Sequence, residues 1–215
     1  MAKPILATNI DGFLINHSAF IEPHKEWFEK VIKLTGNENL RKWIGSKDYF
    51  KGVDIAMEHV MPNATPEQRT LQARHWYQEA VVKYIEENPE IVNHQLGNWL
   101  TSLKEKYTIA LITSNTSEYI HQILKAADLN DIYDIIFSSS ALDKPDKAKL
   151  FKEFSKKYGK PKYYIASRNK EAFEQCLLFG ENCIYFAQEE INPEIQEIAH
   201  KTINNKKELN ELIQN

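Results

Sequence analysis

The sequence predicts an α/β fold, a parallel sheet flanked by helices, with one all-helical segment inserted into it. Three observations predict this. A short apolar run near the start, Pro4 to Ala7, leads into Thr8-Asn9-Ile10-Asp11-Gly12, the pattern of a buried strand that ends in a loop. The stretch that follows, roughly residues 17–89, carries its apolar residues at helical spacing. From Ile91 onward short β-rich apolar runs alternate with helical patterns. That alternation places strands side by side in parallel, with helices on both faces.

The elements are read in chain order. Pro4 to Ala7 is the first strand. Trp27, Phe28, Val31, Ile32 and Leu34 mark a helix from about Pro23, and Gly36-Asn37 ends it. Asn39 to Trp43, Ser46 to Met61 and Pro66 to Glu86 continue as helix. Thr65 is read as the N-cap of the last of these and Pro66 as its first residue. The second part opens with a helix over Val92 to Lys106, then a strand over Tyr107 to Ile112 and a helix over Glu118 to Ala127, capped by Thr116 or Ser117. Ile132 to Phe137 is a strand, Asp146 to Tyr158 a helix, Lys162 to Ile165 a strand, and Asn169 to Phe179 a helix closed by Gly180. Cys183 to Phe186 is a strand and Pro193 to Ala199 a short helix. Thr202-Ile203 is a last strand before a helix over Lys206 to Ile213. Residues 1–16 and 90–215 are thus expected to form the α/β core, and residues 17–89 a separate helical insert.

Composition narrows the function classes. With 215 residues, 42% of them apolar, the chain can bury one large core or a core and a smaller insert. A net charge of -3 gives no electrostatic footing for nucleic acid. No apolar run reaches the ~18 residues of a membrane span. The opening Met1-Ala2-Lys3-Pro4 has no apolar leader segment, and a cytoplasmic location is expected. Cys176 and Cys183 match no metal or redox spacing and are expected to be reduced core residues. The seven histidines include no pair at helix-ligand spacing with a carboxylate partner, so they are not expected to bind metal. The aromatics Trp27, Phe28, Trp43, Tyr49, Phe50, Trp76 and Tyr77 are expected to pack the insert.

Four groups of polar residues follow predicted strands and would meet at one edge of the sheet: Asn9 with Asp11, Thr113-Ser114-Asn115, Lys144, and the segment from Ala166 to Glu171. In order and spacing, along essentially the whole chain, they resemble the motifs of the haloacid dehalogenase-like (HAD) hydrolases. The layout is similar to the phosphoglycolate phosphatase and β-phosphoglucomutase type, in which a Rossmann-like core carries a helical cap. The first motif of that family is Asp, any residue, Asp, Gly; here it is Asn9-Ile10-Asp11-Gly12. The second is an apolar strand ending in Thr or Ser; here Leu111-Ile112-Thr113-Ser114. The third is a Lys, often before Pro; here Lys144-Pro145. The fourth is a strand followed by Gly-Asp and a second Asp four residues after the first; here Ala166-Ser167 and Glu171.

The resemblance implies phosphoryl transfer through an aspartyl-phosphate. The first Asp would attack phosphorus and the second would act as acid and base. The Thr or Ser and the Lys would hold the phosphoryl group, and Mg²⁺ would lie among the acids. Carried over, Asn9 occupies the nucleophile position and Asp11 the acid/base position. Thr113, Ser114, Asn115 and Lys144 form the phosphate site. Asn9, Asp11, Ser167 and Glu171 mark a Mg²⁺ site that is weakened or lost. An amide is a poor nucleophile, and Mg²⁺ prefers carboxylates in near-octahedral array. The leading expectation is a degenerate family member with little or no phosphatase activity, whose pocket binds phosphate or a phosphorylated small molecule. Two other readings stay open: a working Mg²⁺-dependent small-molecule phosphatase that uses Asp11 or Glu171 differently, and a scaffold that engages a protein partner. Gly45-Ser46-Lys47 is the cap segment expected to touch a ligand, and Arg168 is expected to be solvated.

Overall fold

A computed structural model describes residues 2–46, 48–142, 146–188 and 191–214. In chain order its elements are β1 (Ile5–Thr8), α1 (Ser18–Thr35), a 3-10 turn (Glu38–Trp43), α2 (Tyr49–Val60), α3 (Pro66–Glu87), a second 3-10 turn (Pro89–Ile91), α4 (His94–Ser102), β2 (Thr108–Ile112), α5 (Ser117–Ala126) and β3 (Ile135–Phe137). There follow α6 (Lys147–Tyr158), β4 (Tyr163–Ala166), α7 (Lys170–Phe179), β5 (Asn182–Phe186), α8 (Pro193–Ile198), β6 (Lys201–Ile203) and α9 (Lys206–Gln214). The chain divides into two compact units, Met1–Asn16 with Val92–Asn215, and His17–Ile91.

The first unit is built on a six-stranded sheet of order β3-β2-β1-β4-β5-β6, parallel at every pairing. β1 and β4 are buried along their whole length, which is why they read as unbroken apolar runs rather than alternating ones. One face is filled by Ile112, Phe151, Phe154, Tyr164, Phe173 and Tyr185. The strand order reverses between β1 and β4. In open parallel sheets such a reversal opens a crevice at the carboxyl ends of the strands. Side chains start the helices as expected for polar caps: Thr116 accepts from Tyr119 N–H, Asp146 from Lys149 N–H and Asn169 from Ala172 N–H.

The second unit packs α1, α2 and α3 around Trp27, Phe28, Val31, Leu40, Met57 and Ala73. Thr65 and Gln68 form a reciprocal capping box at the start of α3, which satisfies two backbone donors at once. Gly52 is required where α2 meets Trp43, because a Cβ there would stand 2.4 Å from the indole side chain.

Several boundaries differ from the sequence reading, each for a local reason. α1 starts at Ser18 and contains Pro23. Phe20 and Ile21 both donate to the His17 carbonyl, so the first turn forms upstream and proline removes only one later bond. Val92 is not helical; it bridges to Ile15, and Asn93 caps α4 one residue later. β3 is shorter than expected, because the Asp134 side chain accepts from the Ile109 N–H at 2.8 Å and Tyr133 turns inward to Thr8. Cys176 and Cys183 are not reduced thiols but a disulfide, with Cα atoms 6.1 Å apart. The turn at Gly180 folds β5 back along the end of α7, and that proximity is invisible in a spacing count. Among the described residues no helix is long and apolar enough to cross a membrane.

Candidate functional site

The site residues in the first unit follow from strand register. Thr8 pairs with Leu111 of β2 and with Ile165 of β4. Asn9, Thr113 and Ser167 therefore leave three adjacent strands within a residue or two of the same level. Neighbouring strands lie ~4.8 Å apart, so the three loops open onto one place, at the reversal point of the sheet.

The loop after β1 is tightly folded. The N–H groups of Phe13, Leu14 and Ile15 converge on the Ile10 carbonyl, and Gly12 donates to Ile15. Gly12 has a φ of +72°, open to glycine and strained for other residues. It also lies against the loop after β4, where an added Cβ would stand 2.9 Å from the Arg168 stem and 3.3 Å from Ser167 Cβ. Gln188, just after β5, donates its side-chain amide to the carbonyls of Gly12 and Phe13, each at 2.8 Å, and accepts from Asn93 at 3.0 Å. The reading of the sequence did not single out Gln188. Nothing in its local pattern marks it, since the loop it holds lies about 175 residues earlier.

The Asn9 amide donates to the Asp11 carbonyl at 2.8 Å, which orients the side chain. Its Oδ1 is buried with no hydrogen-bond partner, and so is Oγ of Ser167. Two such atoms at the same sheet edge mark a polar place that a hydrogen-bonding group would suit. Thr113 is buried. Its N–H donates to Phe137, and its hydroxyl accepts from the Asn115 N–H at 3.1 Å, leaving the hydroxyl proton to give. Ser114 is half-buried and Asn115 exposed on the same loop. Behind the site Thr8 is completely buried and its hydroxyl meets Tyr133 Oη at 2.8 Å. Burial pushes the Tyr133 hydroxyl far above its ordinary pKa, an effect the Thr8 bond only partly offsets.

Lys144 and Lys47 lie outside the described residues. Glu171 is exposed in the first turn of α7. Gly45 and Ser46 belong to the helical unit, where the Ser46 hydroxyl accepts from the Asp48 N–H. Arg168, expected to be solvated, is half-buried with its stem over Gly12.

A lysine passed over in the sequence is coupled by charge to two of these residues. Lys147 opens α6 and is half-buried. Burial pulls its ammonium below the ordinary lysine pKa, and the charges of Glu171 and Asp11 pull it back up. The one available signal was a basic residue at the first position of a helix, where the macrodipole disfavours it. Magnesium is held by carboxylates and water in near-octahedral array. Here an amide and a hydroxyl stand at two of the four positions the family resemblance marks, and no group of three or more His, Cys, Asp or Glu among the described residues could hold a metal. This donor set does not fit Mg²⁺.

Comparison with known proteins places the chain. Among solved structures it is similar to a HAD phosphatase from Thermococcus onnurineus, at 15% identity and a TM-score of 0.68, covering 98% of this chain and 97% of that one. It is also similar to the haloacid dehalogenase-like hydrolase SP0104 from Streptococcus pneumoniae, at 14% identity and a TM-score of 0.64, covering 99% of both chains. YfnB from Bacillus subtilis, bound to magnesium, shares 13% identity at a TM-score of 0.63 over 100% of both chains. At these identities the likeness is one of fold. No curated protein matches. The model of the haloacid dehalogenase-like hydrolases, however, matches residues 9–165, most of the chain, and the protein belongs to that family.

Proposed function

We propose that this chain uses the HAD fold as a pocket for phosphate or a phosphorylated small molecule, and that its phosphatase chemistry is lost or nearly so. The observation that carries this reading is the Asn9 side chain. It donates a hydrogen bond from nitrogen to the Asp11 carbonyl, which a carboxylate at that position could not do. Phosphoryl transfer through this fold needs an anionic nucleophile and neutralisation of the equatorial oxygens. A neutral amide offers no lone pair suited to attack, and loss of a nucleophile in another hydrolase cost ~10⁶ in kcat. Ser167, in place of an acid, removes a second charge from the same side. What remains suits an oxyanion: the Thr113 hydroxyl, the Ser114 and Asn115 groups, Lys144 by family position, and loop N–H groups.

The test is hydrolysis of p-nitrophenyl phosphate with Mg²⁺. The unaltered protein is expected to stay at background, and Asn9→Asp with Ser167→Asp to gain measurable turnover. Turnover by the unaltered protein that disappears in Asp11→Asn overturns the proposal.

A further inference from the structure

The loop that carries Asn9 and Asp11 has its carbonyl oxygens taken in turn. The Ile10 carbonyl accepts from Phe13, Leu14 and Ile15, and the Asp11 carbonyl accepts from the Asn9 amide. The carbonyls of Gly12 and Phe13 both accept from Gln188 Nε2, each at 2.8 Å. Those two bonds come from outside the loop, from a residue that follows β5. Gln188 Oε1 in turn accepts from Asn93 Nδ2 at 3.0 Å. Asn93 is itself fixed: its N–H donates to the Leu14 carbonyl at 2.8 Å and its Oδ1 caps α4. An amide side chain carries two donors and an acceptor on one plane, and here Gln188 uses both its nitrogen and its oxygen. Gln188 is exposed, and an exposed glutamine held on several sides gives up rotamer freedom that solvent would leave it. Its place in the chain gives these bonds a use. Ile15 bridges to Val92, and Asn16 and Val92 are the residues at which the α/β unit gives way to the helical one in sequence. Gln188 thus ties together the site loop, the segment by which the chain returns to the α/β unit, and the end of β5.

We propose that Gln188 is a positioning residue for the candidate site, holding the loop of Asn9 and Asp11 in the form that admits an oxyanion. The inference rests on the reading of the site as a phosphate pocket and names what keeps that pocket assembled. The physical reason is the direction of the peptide dipoles: backbone N–H groups attract an anion and carbonyl oxygens repel it. With the Gly12 and Phe13 carbonyls bound to the glutamine amide, neither peptide turns its oxygen toward the ligand. Loss of the amide frees both peptides to rotate and leaves Asn93 Nδ2 without its acceptor. Asn93 acts on the site through Gln188, and Gln188 acts through the loop.

The experiment is calorimetric titration of the full chain with inorganic phosphate, for the unaltered protein, Gln188→Met, Asn93→Ser, the double variant, and Gln196→Met as a control on an exposed residue of α8. Methionine keeps the length of glutamine and adds no charge. Serine keeps a capping oxygen for α4 and drops the bond to Gln188. The unaltered protein and Gln196→Met should bind alike. Gln188→Met should bind about 10-fold more weakly and Asn93→Ser about 3-fold more weakly, and the double variant no more weakly than Gln188→Met alone. Spectra of ¹⁵N-labelled, phosphate-free protein supply a readout that a merely stabilising contact would leave in place. The side-chain amide signals of Asn9 should move in Gln188→Met and in Asn93→Ser, and stay in Gln196→Met. Undiminished phosphate binding by Gln188→Met, Asn9 signals that do not move, or losses that add fully in the double variant each overturn this inference and leave the phosphate pocket standing. No binding by the unaltered protein overturns the pocket reading itself, and the inference with it.

Discussion

Gly12 holds apart the two loops that form the candidate site, and replacing it measures how tightly they are fitted. Its φ of +72° costs an alanine ~1 kcal/mol or slightly more. The new Cβ would stand 2.9 Å from both Cδ and Cγ of Arg168 and 3.3 Å from Cβ of Ser167. The arginine stem can swing aside. Ser167 is buried and follows β4 directly, so it yields only if its loop moves, at a further ~0.5–1 kcal/mol of strain. Gly12→Ala should therefore cost about 2 kcal/mol, a fall in Tm of roughly 4–8 °C for a chain of this size. Differential scanning calorimetry is the suitable assay, since two units can melt separately and the loss belongs to the α/β unit alone. A double-mutant cycle with Arg168→Ala divides the effect: the stem contact disappears while the backbone strain remains, so the cycle should recover less than half of the loss. A Gly12→Ala protein that melts within about 1 °C of the unaltered one would refute both the φ assignment and the close approach of the loops.

Other perturbations have equally definite outcomes. Tyr133→Phe leaves the completely buried Thr8 hydroxyl without its partner and should cost ~1–3 kcal/mol, read from the urea midpoint. His24 is packed among the rings of Phe28, Tyr49 and Tyr77, and burial lowers its pKa from 6.5. As pH falls below 6.5, the unfolded chain takes up a proton that the folded one resists, so stability of the helical unit should fall until the lowered folded value is reached. Urea midpoints at successive pH values should show this, and His24→Phe should flatten the slope. Reduction of the Cys176–Cys183 bond, or Cys176→Ser, opens a loop of sequence separation 7 and should cost ~2 kcal/mol on the chain-entropy account, seen as a lower Tm in dithiothreitol for the unaltered protein and none for the variant.

The fold class was legible because its signal is periodic and local. β1 and β4 are buried on both faces, so they announce themselves as apolar runs, and Thr65-Pro66 with Gln68 carries a cap in its own four residues. What stayed hidden depends on chain distant in sequence. Gln188 clamps a loop about 175 residues earlier. The disulfide needs the turn at Gly180 to bring a helix end to a strand start. β3 is trimmed because Asp134 spends its side chain on β2, a competition between side chain and ladder that no window of sequence displays. The polar residues at strand ends could be picked out by position, yet the orphaned oxygens of Asn9 and Ser167 emerge only once the strands are in register.

These hidden features bear on one another through charge. On the proposed reading, Asn9 and Ser167 each stand where a carboxylate would be, so the pocket lacks two negative charges. A divalent cation then keeps two of the four acids and loses two of its preferred oxygen donors. A pocket so altered loses the means to activate a phosphoryl group and keeps the means to hold one. The substitutions are therefore better understood as one coupled change in electrostatics than as independent losses, and coupling of that kind predicts non-additivity. Restoring Asp at position 9 or 167 alone should do less for Mg²⁺ binding, followed by calorimetry, than restoring both together, and additive gains from the two changes would break the argument.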